Sequence, residues 1–425
     1  MEDTFERILC NLPHGIEPLP DIPENSKMGF YQGEFYLKNK TFELKAEGRL
    51  YYSFEGKDRI VVEGLLNTDD IDFNKWVSSA VKISSRELSG KAVLTKLSIP
   101  YSNKPSFVGI VEQIIFGEKQ GYHDKWKWSY LNIPYIHGTA IRNGDRLERG
   151  RLTFLNRYYR IIIDNRSDLA KISQSRSGNK YISHYCELER IDGKSIKEED
   201  AFRLIFTFSQ FIGFVFGRRQ GPFFIQGLNK EGSLQTSYHQ LYEDDSLANV
   251  DNWNPYPYEE DITQLWDAFV DAFESKTGQR DILNTAIHWY LEANANHGML
   301  EGAYIMAFAG LELMYNVLIG EAITNNEDML NKLAKLLNIR DKVSPSGIAN
   351  MRNRLVHYDQ ENRSKYALLS RDEKISRMSM SLELLELSIL YWLRYKGHYH
   401  DRLCGPCYRG DNVFLVPWVD LNSGK

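Results

Sequence analysis

The sequence predicts an α+β protein: a β-rich N-terminal domain, sandwich- or barrel-like with one packed helix, followed by an all-α helical bundle. Three observations carry that expectation. From Met28 to about Tyr185 apolar residues recur with period two between Gly, Asn and Asp punctuation, as half-buried strands require. Beyond residue 261 they recur three and four apart, the spacing of helices with one apolar face. Between the two regimes the composition shifts to EDDSLANVDNWNPYPYEED, acidic and rich in Asn, Pro and Tyr, which reads as a connection. The expected organisation is a β-rich sensing or positioning domain over 1–245, a linker over 246–261, a helical domain over 262–397 and a tail over 398–425.

Taken in order, the segments GFYQGEFYLKN, TFELKAEGRLYYSFEG, RIVVEGLL, KAVLTKLSIPY, FVGIVEQIIFGE and RLTFLNRYYRIIID read as short strands, about ten in the whole domain. Glu198 to Phe216 is helical by pattern but apolar all round, so it is expected to pack against the sheet. The helical half divides into Ile262 to Ser275, Asp281 to Asn296, Leu300 to Ile319, Glu327 to Asn338, Ile348 to His357 and Asp372 to Lys396. In the last of these, Ile375, Met378, Leu382, Leu385, Ile389 and Trp392 form one stripe that reads as core.

Composition narrows the function classes. With 425 residues, 42% apolar and 26% charged, the chain can build two or three ordinary cores. A net charge of −5 argues against a general nucleic-acid coat, so any RNA contact has to be a local patch. The acidic start MEDTFERILCNLP lacks the order of a signal peptide, and no run of 18 apolar residues is present. Four cysteines in this length point to a reducing cytoplasm, with no membrane partner expected.

The stretch with chemistry in it is MRNRLVHYD, Met351 to Asp359, which follows the helix-start signal Ser344-Pro345-Ser346-Gly347. Asn353 and His357 are four apart and share a helix face, and Arg352 has the reach to join them. An imidazole titrating near pH 6.5 can take or give a proton, and a guanidinium fork can hold the phosphate oxygens that gain charge as RNA is cut. Spacing alone does not decide, because Arg7 to His14 and Arg394 to His400 offer the same pair of residue types. The alternative reading is a surface arginine with a helix-terminal histidine held by a carbonyl.

Other stretches compete. Cys404-Gly-Pro-Cys407 has thioredoxin spacing, but only eighteen residues follow it, too few for that fold. With His398 and His400 just before, the cysteines could instead complete a tetrahedral structural zinc site, or form a simple turn with free thiols. Arginines 142, 146, 149, 151, 157, 160 and 166 could track phosphates or line a solvated strand face, and the second reading is favoured. Lys125-Trp126-Lys127-Trp128 interleaves bases with aromatics as single-strand binders do, yet Trp126, Trp128 and Tyr130 alternate and would share one buried face.

The helical half also resembles a known family. The segment IHWYLEANANHGMLEGAYIMAFAGLELMYNVL, followed some thirty residues later by RNRLVH and a long helix, is similar to the HEPN domain of ApeA-type bacterial anti-phage proteins. The β-rich half, ending in a helix and GRRQGP, is similar to the domain that accompanies HEPN in that group. The resemblance implies a metal-independent endoribonuclease that needs no cofactor, with its active site assembled across a homodimer. It matches Arg352, Asn353 and His357 to the family motif and suggests Glu312 as the acidic residue of a preceding helix. It further implies anti-phage defence, with RNA, tRNA among the candidates, as substrate and a phage-derived trigger. A non-catalytic HEPN scaffold that only dimerises is the rival reading. A nucleotide-binding regulator has no Walker-type loop to support it.

Overall fold

The computed structural model describes residues 12–17, 27–53, 59–68, 79–98, 104–117, 121–169, 181–242, 251–254, 259–275, 278–295, 299–356, 360–404 and 413–419. The expected α+β class holds: a large N-terminal β region precedes a helical region. The chain divides into two compact units, one of 1–135, 139–206 and 220–247 and the other of 136–138, 207–219 and 248–425.

In the β unit, β1 (Met28–Lys38), β2 (Glu43–Ser53), β3 (Arg59–Leu66), β4 (Ala80–Ser84), β5 (Leu88–Ser98) and β6 (Ser106–Gly117) pair antiparallel in the order β3-β2-β1-β4-β5-β6. β6 then pairs back onto β3, from Ile60↔Val111 to Leu65↔Ser106, which closes six strands into a barrel and removes its edges. Alternation fills the inside with Phe35, Leu37, Leu50, Tyr52, Val62, Phe107 and Ile114, all buried. Gly48 and Gly64 face each other across β2 and β3, and a Cβ on Gly48 would overlap the Glu63 carbonyl. The strands approach closely because both residues lack one.

The far half of β6 continues into an open sheet. Its strands are β8 (Lys125–Leu131), β9 (Thr139–Asn143), β10 (Arg146–Leu155), β11 (Tyr159–Asn165), β12 (Ile182–Arg190), β14 (Phe223–Leu228) and β15 (Leu234–His239), in the order β6-β15-β14-β8-β12-β11-β10-β9. The short β7 (Tyr122–His123) and β13 (Ile196–Lys197) pair with each other and lead into α1 (Glu198–Phe216). β14 and β15 follow α1, where no strands were expected. Of the two expected forms, sandwich or barrel, six strands take the barrel, and the other sheet stays open. Trp126, Trp128 and Tyr130 are fully buried, and Lys125 extends from β8 to place its Nζ 2.6 Å from Glu187. The KWKW stretch is accordingly a core strand whose Lys125 is paired on the outer face.

The helical unit contains α2 (Glu259–Glu274), α3 (Gln279–Ala295), α4 (Leu300–Leu318), α5 (Asn326–Leu336), α6 (Pro345–Val356), α7 (Gln360–Ala367) and α8 (Arg371–Trp392), with a small hairpin of β16 (His398–His400) and β17 (Val413–Leu415). α7 was not expected from the sequence. Within the stretch read as a linker, Asn252, Trp253 and Asn254 are buried in this unit, and the Trp253 indole donates to the Phe214 carbonyl at 3.0 Å. None of the described helices is long and apolar enough to cross a membrane.

α8 departs most from expectation. Ser370 caps it with a reciprocal Ser370–Glu373 box, and the expected stripe is core only from Met378 to Ile389: Ile375 before it is 44% exposed and Trp392 after it is half-buried. From Ser381 to Leu390 every residue is buried, which makes this the central helix of the unit. Gly310 on α4 gives it room: a Cβ there would come within 2.8 Å of the Leu385 side chain.

Candidate active site

α6 begins at Pro345, inside the Ser344–Gly347 signal and three residues before the expected Ile348. Pro345 occupies the first turn, where its missing N–H is no loss, and Ser344 Oγ accepts from the Gly347 amide at 3.2 Å. Ile348, Ala349 and Met351 bury one side, and the Tyr304 hydroxyl on α4 donates to the Ile348 carbonyl at 2.6 Å, fixing α6 against α4. The flank left partly open carries Arg352 and Asn353.

Two of the expected site residues meet here. Arg352 Nη2 lies 3.9 Å from Glu312 Oε1, with the side chains 24% and 38% exposed. That separation is longer than a hydrogen bond, so the two groups are neighbours that face solvent together. The guanidinium carbon also sits 5.5 Å from the centre of the Phe308 ring, one turn before Glu312 on α4. Asn353 is held from another side: Asn326 Nδ2, at the start of α5, donates to its Oδ1 at 3.2 Å. His357 lies outside the described residues.

Phe308 and Asn326 were not anticipated. Phe308 gives no sequence signal beyond its place one turn from Glu312, and Asn326 gives none, because α5 approaches α6 only in three dimensions. α4 adds a further observation. Ile305, Met306, Ala309, Leu313 and Val317 are only half-buried and fall on one side of the helix, with Glu312 at its border. Within the most apolar of the helices expected to wall the site, that side faces outward.

The possible zinc ligands are placed differently. His398 Nδ1 is 3.0 Å from Asp261 Oδ2, whereas His400 Nδ1 is 3.5 Å from Asp251 Oδ1. Cys404 is half-buried and Cys407 lies outside the described residues. Among the described residues no three or more potential ligands converge, so the tetrahedral set is not assembled by His398, His400 and Cys404.

The residue after His400 leads instead into a buried ionic network. Arg402 makes a bidentate pair with Glu386 at 2.6 Å for each bond, and its Nη2 reaches Asn294 Oδ1 at 3.0 Å. Tyr290 donates to Glu386 Oε1 at 2.5 Å, and Lys342 holds the buried Asp401 at 2.6 Å. Glu383 receives the Arg402 backbone amide at 3.2 Å; burial, then the charges of Glu386 and Asp401, push its carboxyl well above the ordinary range. Two glutamates inside the apolar run LELLELSIL were the available sequence signal, since buried charges need partners.

The arginine-rich stretch of the β unit is largely neutralised. Arg151 forms a buried bidentate pair with Asp164 at 2.7 and 2.6 Å, Arg166 meets Asp168 at 2.6 Å, Arg160 pairs with Glu189, and Arg142 stands 4.0 Å from Asp145. Arg151 is thus a buried structural residue, outside both readings, and the outer pairs of Arg160 and Arg166 favour the solvated face over a phosphate track.

Comparison with known proteins gives two family matches. Residues 118–247 match the family model described as the YopA central domain, and residues 318–411 match that of the YopA C-terminal domain. The first match begins where the closed barrel ends and takes in the open sheet. The second includes Arg352, Asn353, His357 and Arg402 but starts after Glu312. No curated protein and no solved structure matches the chain.

Proposed function

We propose that the helical unit is a metal-independent endoribonuclease of HEPN type that acts in anti-phage defence. The observation that supports it best is the meeting of Arg352 and Glu312: two residues 40 positions apart, singled out from the sequence, share one partly open surface. In this reading the Arg352 fork and the Asn353 amide hold the scissile phosphate. One imidazole takes the 2′-OH proton, O2′ attacks phosphorus, the P–O5′ bond breaks, and a second imidazole gives a proton to O5′.

A single His357 cannot serve both ends of that displacement in one step, because the two roles need opposite protonation states on opposite sides of the phosphate. A homodimer supplies the second copy, since a two-fold axis brings the same patch together from both subunits. The half-buried apolar side of α4 beside Glu312 supports this assembly. The β unit then senses a phage-derived trigger.

Incubating the purified protein with total RNA, and with tRNA, in EDTA tests the reaction. The expected products carry 2′,3′-cyclic phosphate and 5′-hydroxyl ends; 5′-phosphate ends, or a requirement for added metal, would sink the mechanism. Mixing wild-type with His357→Ala chains tests the assembly. Activity should fall with the square of the wild-type fraction, and a linear fall would mean that each subunit works alone.

A further inference from the structure

A second constellation in the helical unit is separate from the Arg352 surface. A cleft of about 980 Å³ opens between α2 and the C-terminal end of α8. Its aromatic wall is Tyr391 and Trp392, both half-buried. Trp418 pins that wall: its ring stands edge-on to Tyr391 with centroids 5.2 Å apart, and its indole donates to the Tyr395 carbonyl at 2.8 Å. On the facing helix Leu265, Ala268 and Ala272 lie three and four positions apart, and the small side chains leave depth for a flat group.

The rim is charged in a specific way. Arg394 and Lys396 are exposed on either side of buried Tyr395, and among the described residues neither takes part in an ion pair. Asp271 and Glu274 line the same cleft from α2. Arg394 has φ of 57°, a left-handed conformation at the helix end where glycine is the ordinary occupant. Its amide caps the Tyr391 carbonyl at 2.9 Å, and the Tyr395 amide caps Leu390 at 3.0 Å, so the turn is closed without any use of the arginine side chain. Glycine would serve the turn at lower conformational cost, and the arginine side chain is left over from the turn to face the cleft.

A cleft lined by aromatic rings, two cations and two carboxylates has the chemistry to take a ring system, a phosphate and sugar hydroxyls in one ligand. We propose that this cleft binds a nucleotide, either free or as one residue of an RNA strand, with the base against Trp392, the phosphate at Arg394 and Lys396, and the ribose hydroxyls at Asp271. The proposal does not depend on whether the Arg352 surface cuts RNA.

Equilibrium dialysis of the full-length protein with labelled AMP, and separately with a six-residue adenylate RNA, tests it. Saturable binding of one ligand per chain is expected, weakened about tenfold or more by Trp392→Ala and by the double variant Arg394→Gly/Lys396→Ala. The double variant should keep its melting temperature, because glycine suits the left-handed backbone, so lost binding there reflects lost cations and not unfolding. Tighter binding of the RNA than of AMP would identify an RNA residue as the ligand, and the reverse a free nucleotide. Absence of saturable binding to both, unchanged affinity in the folded double variant, or displacement of AMP by equal concentrations of inorganic phosphate would each overturn the assignment.

Discussion

Two arginine–glutamate pairs in the helical unit use the same chemistry for different ends. Arg402 and Glu386 are 4% and 1% exposed, joined by two bonds of 2.6 Å, and completed by Tyr290 and Asn294. Arg352 and Glu312 are 24% and 38% exposed and stand 3.9 Å apart. The first pair resides where water cannot replace a lost partner, so it specifies how the segment after β16 sits on α8. The second pair meets water and contributes little to the fold, which leaves its geometry adjustable by a ligand. Residue type and proximity are shared by both pairs; burial and direct bonding between the two partners separate a structural ion pair from a candidate site.

The widest separation between the pairs should appear on truncation. Arg402→Ala is expected to destabilise the helical unit by about 3–5 kcal/mol, because it strands Glu386 in the interior. Combining Arg402→Met with Glu386→Leu should recover much of that loss, as measured by denaturant unfolding followed by circular dichroism. If the single variant is as stable as wild type, Arg402 is not a core residue and the comparison fails.

The pH response should differ in sign between regions. Glu383 has a raised folded-state pKa, so its favourable contribution is complete below the ordinary carboxylate pKa and is lost as pH rises through the folded value. Burial holds His184 and His239 of the β unit at about 3, so their contribution is present above pH 6.5 and is lost as pH falls from there toward 3. Glu383→Gln should therefore lose less stability than wild type between pH 5 and pH 9. Parallel stability curves for the two proteins would contradict the burial of an uncharged Glu383.

Smaller effects refine the surface pair. Arg352→Lys should lower RNA cleavage about tenfold or more without unfolding, since a point charge cannot reproduce a two-pronged grip. Asn326→Asp reverses the polarity offered to Asn353, turning its amide so that the carbonyl faces outward. A severalfold loss in turnover with an unchanged melting temperature is expected, partly rescued by Asn326→Ser, and full activity in the aspartate variant would remove Asn326 from the site.

Legibility followed the range of the physics. Elements set by local pattern were readable: α1 matches its expected bounds, α6 starts at its Ser-Pro signal, and the tryptophans of β8 are buried as alternation demands. Closure of the barrel was not, because the β3–β6 pairing joins strands some 45 residues apart and leaves no periodic trace in either. α8 was legible only in part for a related reason: Glu383 and Glu386 inside an apolar run signal that partners are needed, but Arg402 reaches Glu386 from beyond the helix and only the fold shows it. At the candidate site, motif and resemblance singled out Arg352, Asn353, His357 and Glu312, of which Arg352 and Glu312 are neighbours in the fold, whereas Asn326 and the ring of Phe308 emerged only from the packing of α4, α5 and α6.

Under the proposed function Arg352 serves a substrate, whereas Arg402 serves the fold. Measuring RNA cleavage and melting temperature together on purified Arg352→Ala tests it most directly. The expected result is loss of cleavage by about a hundredfold or more, with stability within about 0.5 kcal/mol of wild type. A variant that unfolds, or one that stays folded and cuts RNA at the wild-type rate, would contradict it.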